Sequence, residues 1–338
     1  MRQIWISRAG APEVLELREA PDPEPGPGEV RVRVAASGIN FADLTARMGI
    51  YPDMPPIPCV VGYEVSGVVD GRGEGVDDLE DGAKVVALTR FGGYSDVVCI
   101  PRAQVVRIPE GISMSAAAAV PVNYLTAWLM LVELGNVRAD HTVLVHAAAG
   151  GVGQAALQIC KWRGATVIGT ASAGKHERLR EVGIDHCIDY RTQDFEPEVM
   201  RITDKLGVDI VLDAVGGESY AKSYRCLRHC GRLFMFGASS FAPSEKRRLL
   251  PILKGLMKTP KFKPFELLDL NRGVHGVNLG HLWHEIDRLE VLFEAVMAKI
   301  GDQTLVPVID REFGFDEAAA AHAYIQGRNN FGKVLLVA

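Results

Sequence analysis

The sequence has no uninterrupted apolar run of about 20 residues, the length that an α-helix needs to cross a bilayer. The amino-terminal run from Met1 to Arg8 is also too short for the apolar core of a signal peptide. The six cysteines are scattered through apolar segments, which is typical of a reducing compartment rather than of a disulfide framework. Together these absences predict a cytoplasmic protein.

A strong excess of one charge is missing as well. The 37 Lys and Arg residues and 42 Asp and Glu residues give a formal net charge of −5. Such a balance excludes a global attraction to nucleic acid. The hydrophobic share of 48% and the charged share of 23% are typical of a globular protein. At 338 residues the chain exceeds one typical domain, so two are predicted.

The pattern of predicted secondary structure along the chain changes near residue 114 and again near residue 302. Short strand patterns with glycine and proline punctuation fill the first third, which favours a barrel-like all-β module. From His141 onward strand and helix patterns alternate, which predicts a doubly wound parallel sheet covered on both faces. The strands of this sheet are predicted at 141–146, 165–170, 186–189, 208–213, 231–237 and 273–277. After about 302 the β character returns, with strands predicted at 305–309 and 333–337 and a helix at 316–326, and this tail is expected to rejoin the first module. The predicted domains are therefore residues 1–122 with 302–338, and residues 123–301.

A glycine turn joins the first strand of the predicted parallel sheet to the next helix. It runs Ala147-Ala-Ala149-Gly150-Gly151-Val152-Gly153 and precedes a segment with helical apolar spacing. A strand that turns through glycines into a helix brings bare backbone N–H groups and the positive helix end to one point, which suits a dinucleotide pyrophosphate. The plain alternative is a glycine-rich turn that binds nothing.

No acidic residue follows the second strand of this sheet before Glu177. An NAD site normally has an acid there to hold the ribose 2′-hydroxyl. The chain instead offers Ser172 and Lys175, with Tyr190 after the third strand. Hydrogen-bond donors and positive charge favour a 2′-phosphate, so NADP(H) is the predicted cofactor. The alternative is that Lys175 is simply a solvated lysine in the first turn of a helix.

Several motifs spread over the whole chain carry a family resemblance. They are Gly38-Ile-Asn-Phe-Ala-Asp43, Gly62-Tyr-Glu-Val-Ser-Gly67, Gly92-Gly-Tyr-Ser-Asp96, Tyr124-Leu-Thr-Ala-Trp128, the glycine turn and Asn330-Phe-Gly-Lys-Val334. In combination they resemble the zinc-free quinone oxidoreductase branch of the medium-chain dehydrogenase/reductase family. Within that branch, Gly169–Glu177 and Asn271–Gly280 are most similar to the synaptic-vesicle amine-transport-protein homologues. The resemblance implies an α/β protein with a GroES-like β-barrel domain and a Rossmann domain, and a homodimer joined at the strand near 273–277.

The resemblance also exposes departures from the zinc enzymes of the family. Asn40, Tyr63 and Val122 stand where those enzymes have zinc ligands, and none of these side chains replaces thiolate or imidazole on tetrahedral zinc. No metal site is therefore expected. Two further groups, Cys226 with Cys230 and His281 with His284, are spaced like one helical turn and are predicted to be packed helix residues.

The predicted reaction moves a hydride from NADPH to a quinone or to an activated alkene or enone, without zinc. The resemblance places Asn40 and Thr126 at the nicotinamide end and brings Asn330 to the cofactor from the tail. Tyr51 and then Tyr63 are the candidate proton donors, and water is the alternative. The predicted catalytic residues are Tyr51, Tyr63 and Asn40. The predicted cofactor-binding residues are Asn40, Thr126, Ala149, Gly150, Gly151, Val152, Gly153, Thr170, Ser172, Lys175, Tyr190, Gly237, Ala238 and Asn330.

A basic stretch supplies a second hypothesis. Residues 240–264 contain seven Lys or Arg and one Glu, interleaved with apolar residues. Such a segment, here 246–263, can lie on an anionic membrane surface or grip a partner. In that case the protein would bind its cofactor but chiefly dock, with low turnover. A lid over the substrate and a solvated insertion are the other interpretations.

Overall fold

The structure is a computed structural model that describes residues 1–241 and 249–338. Its strands are β1 (Arg2–Ile6), β2 (Leu15–Glu19), β3 (Glu29–Gly38), β4 (Cys59–Val60), β5 (Glu64–Arg72), β6 (Lys84–Leu88), β7 (Val97–Pro101), β8 (Val105–Arg107), β9 (Thr142–Val145), β10 (Thr166–Ala171), β11 (His186–Asp189), β12 (Val208–Asp213), β13 (Leu227–Met235), β14 (Gly273–Gly276), β15 (Ile309–Gly314) and β16 (Lys333–Val337). Its α-helices are α1 (Phe41–Arg47), α2 (Met114–Ala118), α3 (Pro121–Trp128), α4 (Gly151–Arg163), α5 (His176–Glu181), α6 (Phe195–Ile202), α7 (Glu218–Arg225), α8 (Leu249–Lys258), α9 (Pro264–Leu270), α10 (Ile286–Gly301) and α11 (Ala318–Gln326).

The described chain divides into two compact units. The first comprises Met1–Leu125 and Leu279–Ala338, and the second comprises residues 126–241 and 249–278. Helix α10 lies in the first unit, where it contacts β8 and the turn before it. The sequence-based boundary at 301 stays a prediction, since the division by packing leaves 279–301 with the β-rich part of the chain.

The first unit is built on antiparallel strands. One sheet has the order β15-β16-β3-β5-β6-β8, with β7 pairing on β3, and a smaller sheet has the order β2-β1-β4. Strand β3 shows why the sequence folds this way: Val30, Val32 and Val34 are buried in the core, while Arg31 and Arg33 face outward and both bind Asp70. The carboxyl-terminal strand β16 pairs antiparallel with β3, so the tail completes the first module.

The second unit is a parallel sheet with the order β11-β10-β9-β12-β13-β14. Numbered from β9, this is the order 3-2-1-4-5-6 of a dinucleotide-binding fold. The central strands have apolar cores, with Val143, Leu144 and Val145 of β9 almost fully buried, because helices cover both faces. The predicted α/β fold class, with a GroES-like barrel and a Rossmann domain, is confirmed.

Three local predictions were wrong. The tail strand predicted at 305–309 lies four residues later, because Pro307 has no N–H to pair and the ladder starts at Ile309. Cys226 is the C-cap of helix α7, and Cys230 lies on strand β13 with a left-handed φ of 64°, so the two are not packed on one helix. His281 and His284 lie on separate short 3₁₀ turns, and His281 binds Asp53 at the surface instead of packing.

Among the helices that the structure describes, none is long and apolar enough to cross a membrane.

Candidate active site

The predicted cofactor residues of the second unit gather at one edge of its sheet. The carboxyl ends of parallel strands meet at the same edge, which is where ligands bind in such sheets. The glycine turn follows β9, Ser172 and Lys175 follow β10, and Tyr190 follows β11. Gly237 and Ala238 follow β13. The sequence prediction therefore brought together residues that the fold also brings together.

The glycine turn leaves the first turn of α4 free for an anion. Gly150 is the N-cap of this 13-residue helix, and no described side chain caps it. A Cβ at Gly153 would come within 2.4 Å of the Ala147 carbonyl oxygen, so only glycine fits there. The unpaired N–H groups and the positive helix end at Gly151–Gly153 match a pyrophosphate, so the cradle fits a dinucleotide.

Ala147 stands at the first position of the turn with a left-handed φ of 53°. Glycine is the residue that takes this conformation without strain, and an alanine there costs about 1 kcal/mol. The departure from the glycine pattern at this position is therefore a strained backbone rather than a different turn.

A buried polar network lies beneath the turn. Ser219 Oγ and Ser223 Oγ both donate to Asp213 Oδ2 at 2.7 Å. Because the Ser223 proton is used in this way, His146 Nε2 donates to Ser223 Oγ at 3.0 Å, and Nδ1 accepts from Thr170 Oγ1 at 3.1 Å. The network ties the ends of β9, β10 and β12 to helix α7. Burial lowers the pKa of His146, which agrees with a neutral ring.

Thr170 lies at the predicted edge, but its side chain is only 3% exposed and its hydroxyl is taken up by His146. Only its backbone carbonyl, which accepts from Ala148 N at 3.1 Å, helps to hold the turn. Thr170 therefore helps to hold the glycine turn in place, and its side chain is not available to a cofactor.

The ends of β10 and β11 carry the groups predicted to bind a 2′-phosphate. Ser172 begins the short 3₁₀ turn that holds Lys175. The Asp189 carboxylate accepts from Arg191 N and Thr192 Oγ1, so this acid shapes the turn that exposes Tyr190. A cavity of about 360 Å³ opens here. It is lined by Tyr190, Arg191, Thr192, Gln193, Asp194, Phe195 and Lys222.

The remaining predicted residues of this unit are Gly237, Ala238 and Thr126. The Gly237 carbonyl accepts from Tyr220 Oη at 2.5 Å, and a Cβ at Gly237 would come within 3.0 Å of the Ala214 carbonyl oxygen. Ala238 packs against Gly216 in the neighbouring loop after β12. Thr126 is 7% exposed on α3.

In the first unit, Asn40 belongs to a buried charged cluster. Its Oδ1 accepts from Lys333 Nζ at 2.7 Å, and its Nδ2 donates to Glu64 Oε1 at 2.8 Å. Lys333 and Glu64 form a buried ion pair, and Glu64 Oε2 also accepts from Val122 N at 2.7 Å. Asp43 holds the backbone on the other side, accepting from Asn40 N at 2.8 Å and from Gly62 N at 3.0 Å.

Two candidate proton donors lie together in this unit. The rings of Tyr51 and Tyr63 meet edge to face at 6.1 Å, and Phe91 packs on Tyr63 at 5.3 Å. Burial raises the pKa of Tyr63, and the charge of Asp43 raises it further. A tyrosine that holds its proton more tightly is a weaker acid, which weighs against Tyr63 as a proton donor.

Asn330 lies in the first unit, just before β16, and its Nδ2 donates to the Gly332 carbonyl at 2.9 Å. This bond orients the side chain at the start of the motif that also contains Lys333.

Sequence reasoning missed five buried polar residues: Asp43, Glu64, Lys333, His146 and Asp213. The first three lie inside motifs that carried the family resemblance, so their positions were visible although their roles were not. His146 and Asp213 end two predicted strands, and polar residues at strand ends on the ligand edge are the signal that could have found them.

Comparison with known proteins agrees with this geometry. Residues 26–110 match the alcohol dehydrogenase GroES-like domain, and residues 182–336 match the zinc-binding dehydrogenase family. The chain belongs to the medium-chain dehydrogenase/reductase family, as the motifs predicted.

Individual relatives show which members of the family the chain resembles. It is 42% identical over 305 residues to the rat synaptic vesicle membrane protein VAT-1 homolog, covering 90% of this chain and 75% of that protein. The crystal structure of Escherichia coli quinone oxidoreductase complexed with NADPH is 29% identical with a TM-score of 0.88, and each chain is covered completely. The CurK enoyl reductase structure is 29% identical with a TM-score of 0.86, covering 99% of this chain and 98% of that one. The resemblance to quinone oxidoreductases and to the synaptic-vesicle homologues is thus confirmed.

The donor set does not fit the zinc that the second family description implies. Asn40 Oδ1 already faces the Lys333 ammonium, whose positive charge opposes a second cation beside it. The Val122 side chain has no ligand atom and its backbone N–H donates to Glu64, while Tyr63 holds its proton tightly. Among residues 1–241 and 249–338, no group of three or more His, Cys, Asp or Glu side chains could hold a metal ion.

Proposed function

We propose that the protein is an NADPH-dependent reductase that transfers a hydride to a quinone or to an activated alkene or enone. The observation that carries this proposal is the uncapped start of α4 beside a β10 end that bears Ser172 and Lys175 and no acid. The NADPH complex of the quinone oxidoreductase relative supports the choice of cofactor.

The residues of the second unit divide the work of binding. The N–H groups of Gly151–Gly153 hold the pyrophosphate, and Ser172, Lys175 and Tyr190 hold the 2′-phosphate. When bound, NADPH supplies the hydride, and the protein supplies position and a dry site.

The residues of the first unit serve the acceptor. Asn40 contributes a fixed amide, and Tyr51 donates the proton that an enone needs after the hydride arrives. A quinone can take its proton from water. An acceptor that is already electrophilic needs no Lewis acid, and no step of the proposal passes through a metal.

Cofactor choice tests the proposal directly. Lys175→Ala should weaken NADPH binding about 10- to 100-fold, because a charge-assisted contact contributes about 1.5–3 kcal/mol. Binding of NADH should stay within about twofold, since it has no 2′-phosphate. The measurement is isothermal calorimetry, with Lys161→Ala on the surface of α4 as the control. Equal losses for both cofactors would refute the assignment of Lys175, and a wild-type protein that binds neither would refute the function.

The class of hydride acceptor is then determined by measuring NADPH oxidation at 340 nm with a panel of quinones and enones. The proposal expects turnover with at least one of these classes. A protein that binds NADPH but reduces no member of the panel would lose the reductase assignment.

An exposed apolar face favours a second candidate function, docking to an anionic membrane surface. Leu253, Leu256 and Met257 of α8 are 56%, 58% and 73% exposed, and Phe265 and Leu268 of α9 are 81% and 69% exposed. Lys261 and Lys263 lie between the two helices. The basic residues Lys246, Arg247 and Arg248 belong to the same sequence stretch but fall outside the described residues.

Liposome flotation separates the two candidates. Docking predicts salt-sensitive binding to phosphatidylserine vesicles that is lost when Leu256 and Met257 are both replaced by serine. The same variant should keep its NADPH oxidation if the protein is a reductase. Absence of binding at low salt would remove the docking candidate.

Two family expectations complete the proposal. A homodimer would form at β14, one of the two outer strands of the described parallel sheet, and multi-angle light scattering would measure it. The six free cysteines support a cytoplasmic location, because thiols persist in a reducing compartment.

A further inference from the structure

Three motifs from distant parts of the chain converge on the Asn40 side chain. Lys333 lies at the start of β16, Glu64 at the start of β5, and Asn40 just before α1. Lys333 is 2% exposed, Glu64 0% and Asn40 8%. The ion pair and the amide thus form one buried unit joined by three hydrogen bonds.

Close packing shows that this arrangement is built into the backbone. A Cβ at Gly38 would come within 2.4 Å of Glu64 Oε1 and 2.6 Å of Lys333 Cε. A larger residue at the end of β3 would have to displace the ends of both side chains, so the ion pair rather than backbone freedom accounts for glycine at position 38.

The pair dictates how the Asn40 amide is oriented. The Lys333 ammonium can only donate and the Glu64 carboxylate can only accept, so Oδ1 must face lysine and Nδ2 must face glutamate. A flipped amide would place N–H against ammonium and oxygen against carboxylate. One amide hydrogen is committed to Glu64, while the other has only the Gly38 carbonyl at 3.5 Å, a weak partner.

We propose that Lys333 and Glu64 are positioning residues that hold the second Asn40 amide hydrogen in place as a donor to a carbonyl oxygen of the bound cofactor or acceptor. The inference rests on the proposed function, in which Asn40 serves the hydride acceptor, and on the family resemblance, which implies that Asn40 lies at the nicotinamide end. A buried ion pair is weak evidence for stability, because apolar residues of similar size often replace such pairs without loss. Stability alone therefore does not explain why the chain has an ion pair here, whereas a role in orienting Asn40 does.

The test replaces both charges together, since removing one alone would leave its partner buried without a counter-charge. In the double variant Lys333→Met/Glu64→Gln, the glutamine can donate or accept, so the Asn40 amide is free to flip. The control is Lys299→Met/Asp302→Asn, which removes a surface pair of 2.6 Å on α10.

The first readout needs no turnover. In protein labelled with ¹⁵N-asparagine, the Asn40 side-chain signal is assigned by its loss in Asn40→Ala. Wild type should show one pair of amide resonances that moves when NADPH is added. The double variant should show a broadened or doubled pair, and the control should match wild type. An unchanged Asn40 signal in the double variant would overturn the proposal.

The second readout separates position from folding. The double variant should keep its melting temperature within a few degrees and its NADPH Kd within about threefold, because the predicted phosphate contacts lie in the other unit. Its kcat should fall about tenfold or more, as expected when a reacting group is misplaced. Equal kcat in wild type and double variant would also overturn the proposal. If wild type reduced no acceptor, the proposed function would fail while the resonance test still judged the orientation.

Discussion

Replacing Asp43 by asparagine should make the stability of the protein less dependent on pH between about 5 and 8. Asp43 is completely buried. Burial raises its pKa from 3.8 to about 7, against the opposing effects of the Asn40 and Gly62 N–H groups and of Lys333. The folded protein therefore binds the Asp43 proton more tightly than the unfolded chain does.

The sign and size follow from proton linkage. The stabilising contribution of the bound proton is fully present below pH 3.8 and is lost as the pH rises through about 7. Its full value is about 4 kcal/mol for such a shift. Between pH 5 and pH 8 the wild type should lose about 2–3 kcal/mol of unfolding free energy relative to Asp43→Asn. The asparagine can accept only through its single oxygen, which adds a cost that does not vary with pH.

Urea denaturation of both proteins at pH 5, 6, 7 and 8 measures the difference. Asp302→Asn is the matched control: its neighbours lower the pKa of Asp302 to about 2, so that group is ionised at all four pH values. The reasoning would be refuted if the difference in unfolding free energy between wild type and Asp43→Asn stayed constant across this range. It would also be refuted if the wild type gained stability relative to the variant as the pH rose.

Three further changes test other parts of the structure. Ala147→Gly should leave the unfolding free energy unchanged or raise it by up to about 1 kcal/mol, because glycine relieves the left-handed φ; a loss of more than that in urea denaturation would contradict it. Gly38→Ala should cost about 1–3 kcal/mol by the same assay, whereas Gly174→Ala, with open space around its Cβ, should cost less than about 0.5, and equal costs would rule out the close approach at Gly38. Tyr51→Phe should slow single-turnover reduction of an enone by about 100-fold or more and Tyr63→Phe much less, while the reverse order would exchange their roles.

The parts of the fold that the sequence predicted well are those with strong local patterns. The strands β9, β10, β11 and β12 were placed within one residue, because each has a short apolar core that is bounded by polar residues. The glycine turn was recognisable from its strand and helix context.

The errors arose where local spacing had two meanings. Cys226 and Cys230 are four residues apart, as on a helix, but the left-handed φ at Cys230 shows that the chain bends there within β13. The tail strand was placed too early because Leu305 is fully buried although it is not in a strand. A short apolar run in the sequence looks the same whether its residues are buried in a loop or paired in a strand.

The buried polar groups of the candidate site could not be predicted as a group. Glu64 and Lys333 are 269 residues apart, and His146 and Ser223 are 77 apart. No periodic pattern links residues across such separations, and only the folded chain shows that they share hydrogen bonds.

The position of Lys333 near the end of the sequence has a consequence for how the protein folds during its synthesis on the ribosome. Glu64 is synthesised 269 residues before the cation that neutralises it. At 5–20 residues per second, the nascent barrel waits roughly 15–50 s for that counter-charge, while the whole second unit is being made. The amino-terminal module can therefore complete its sheet only after β16 has emerged, and until then Glu64 lacks the cation that pairs with it in the folded protein.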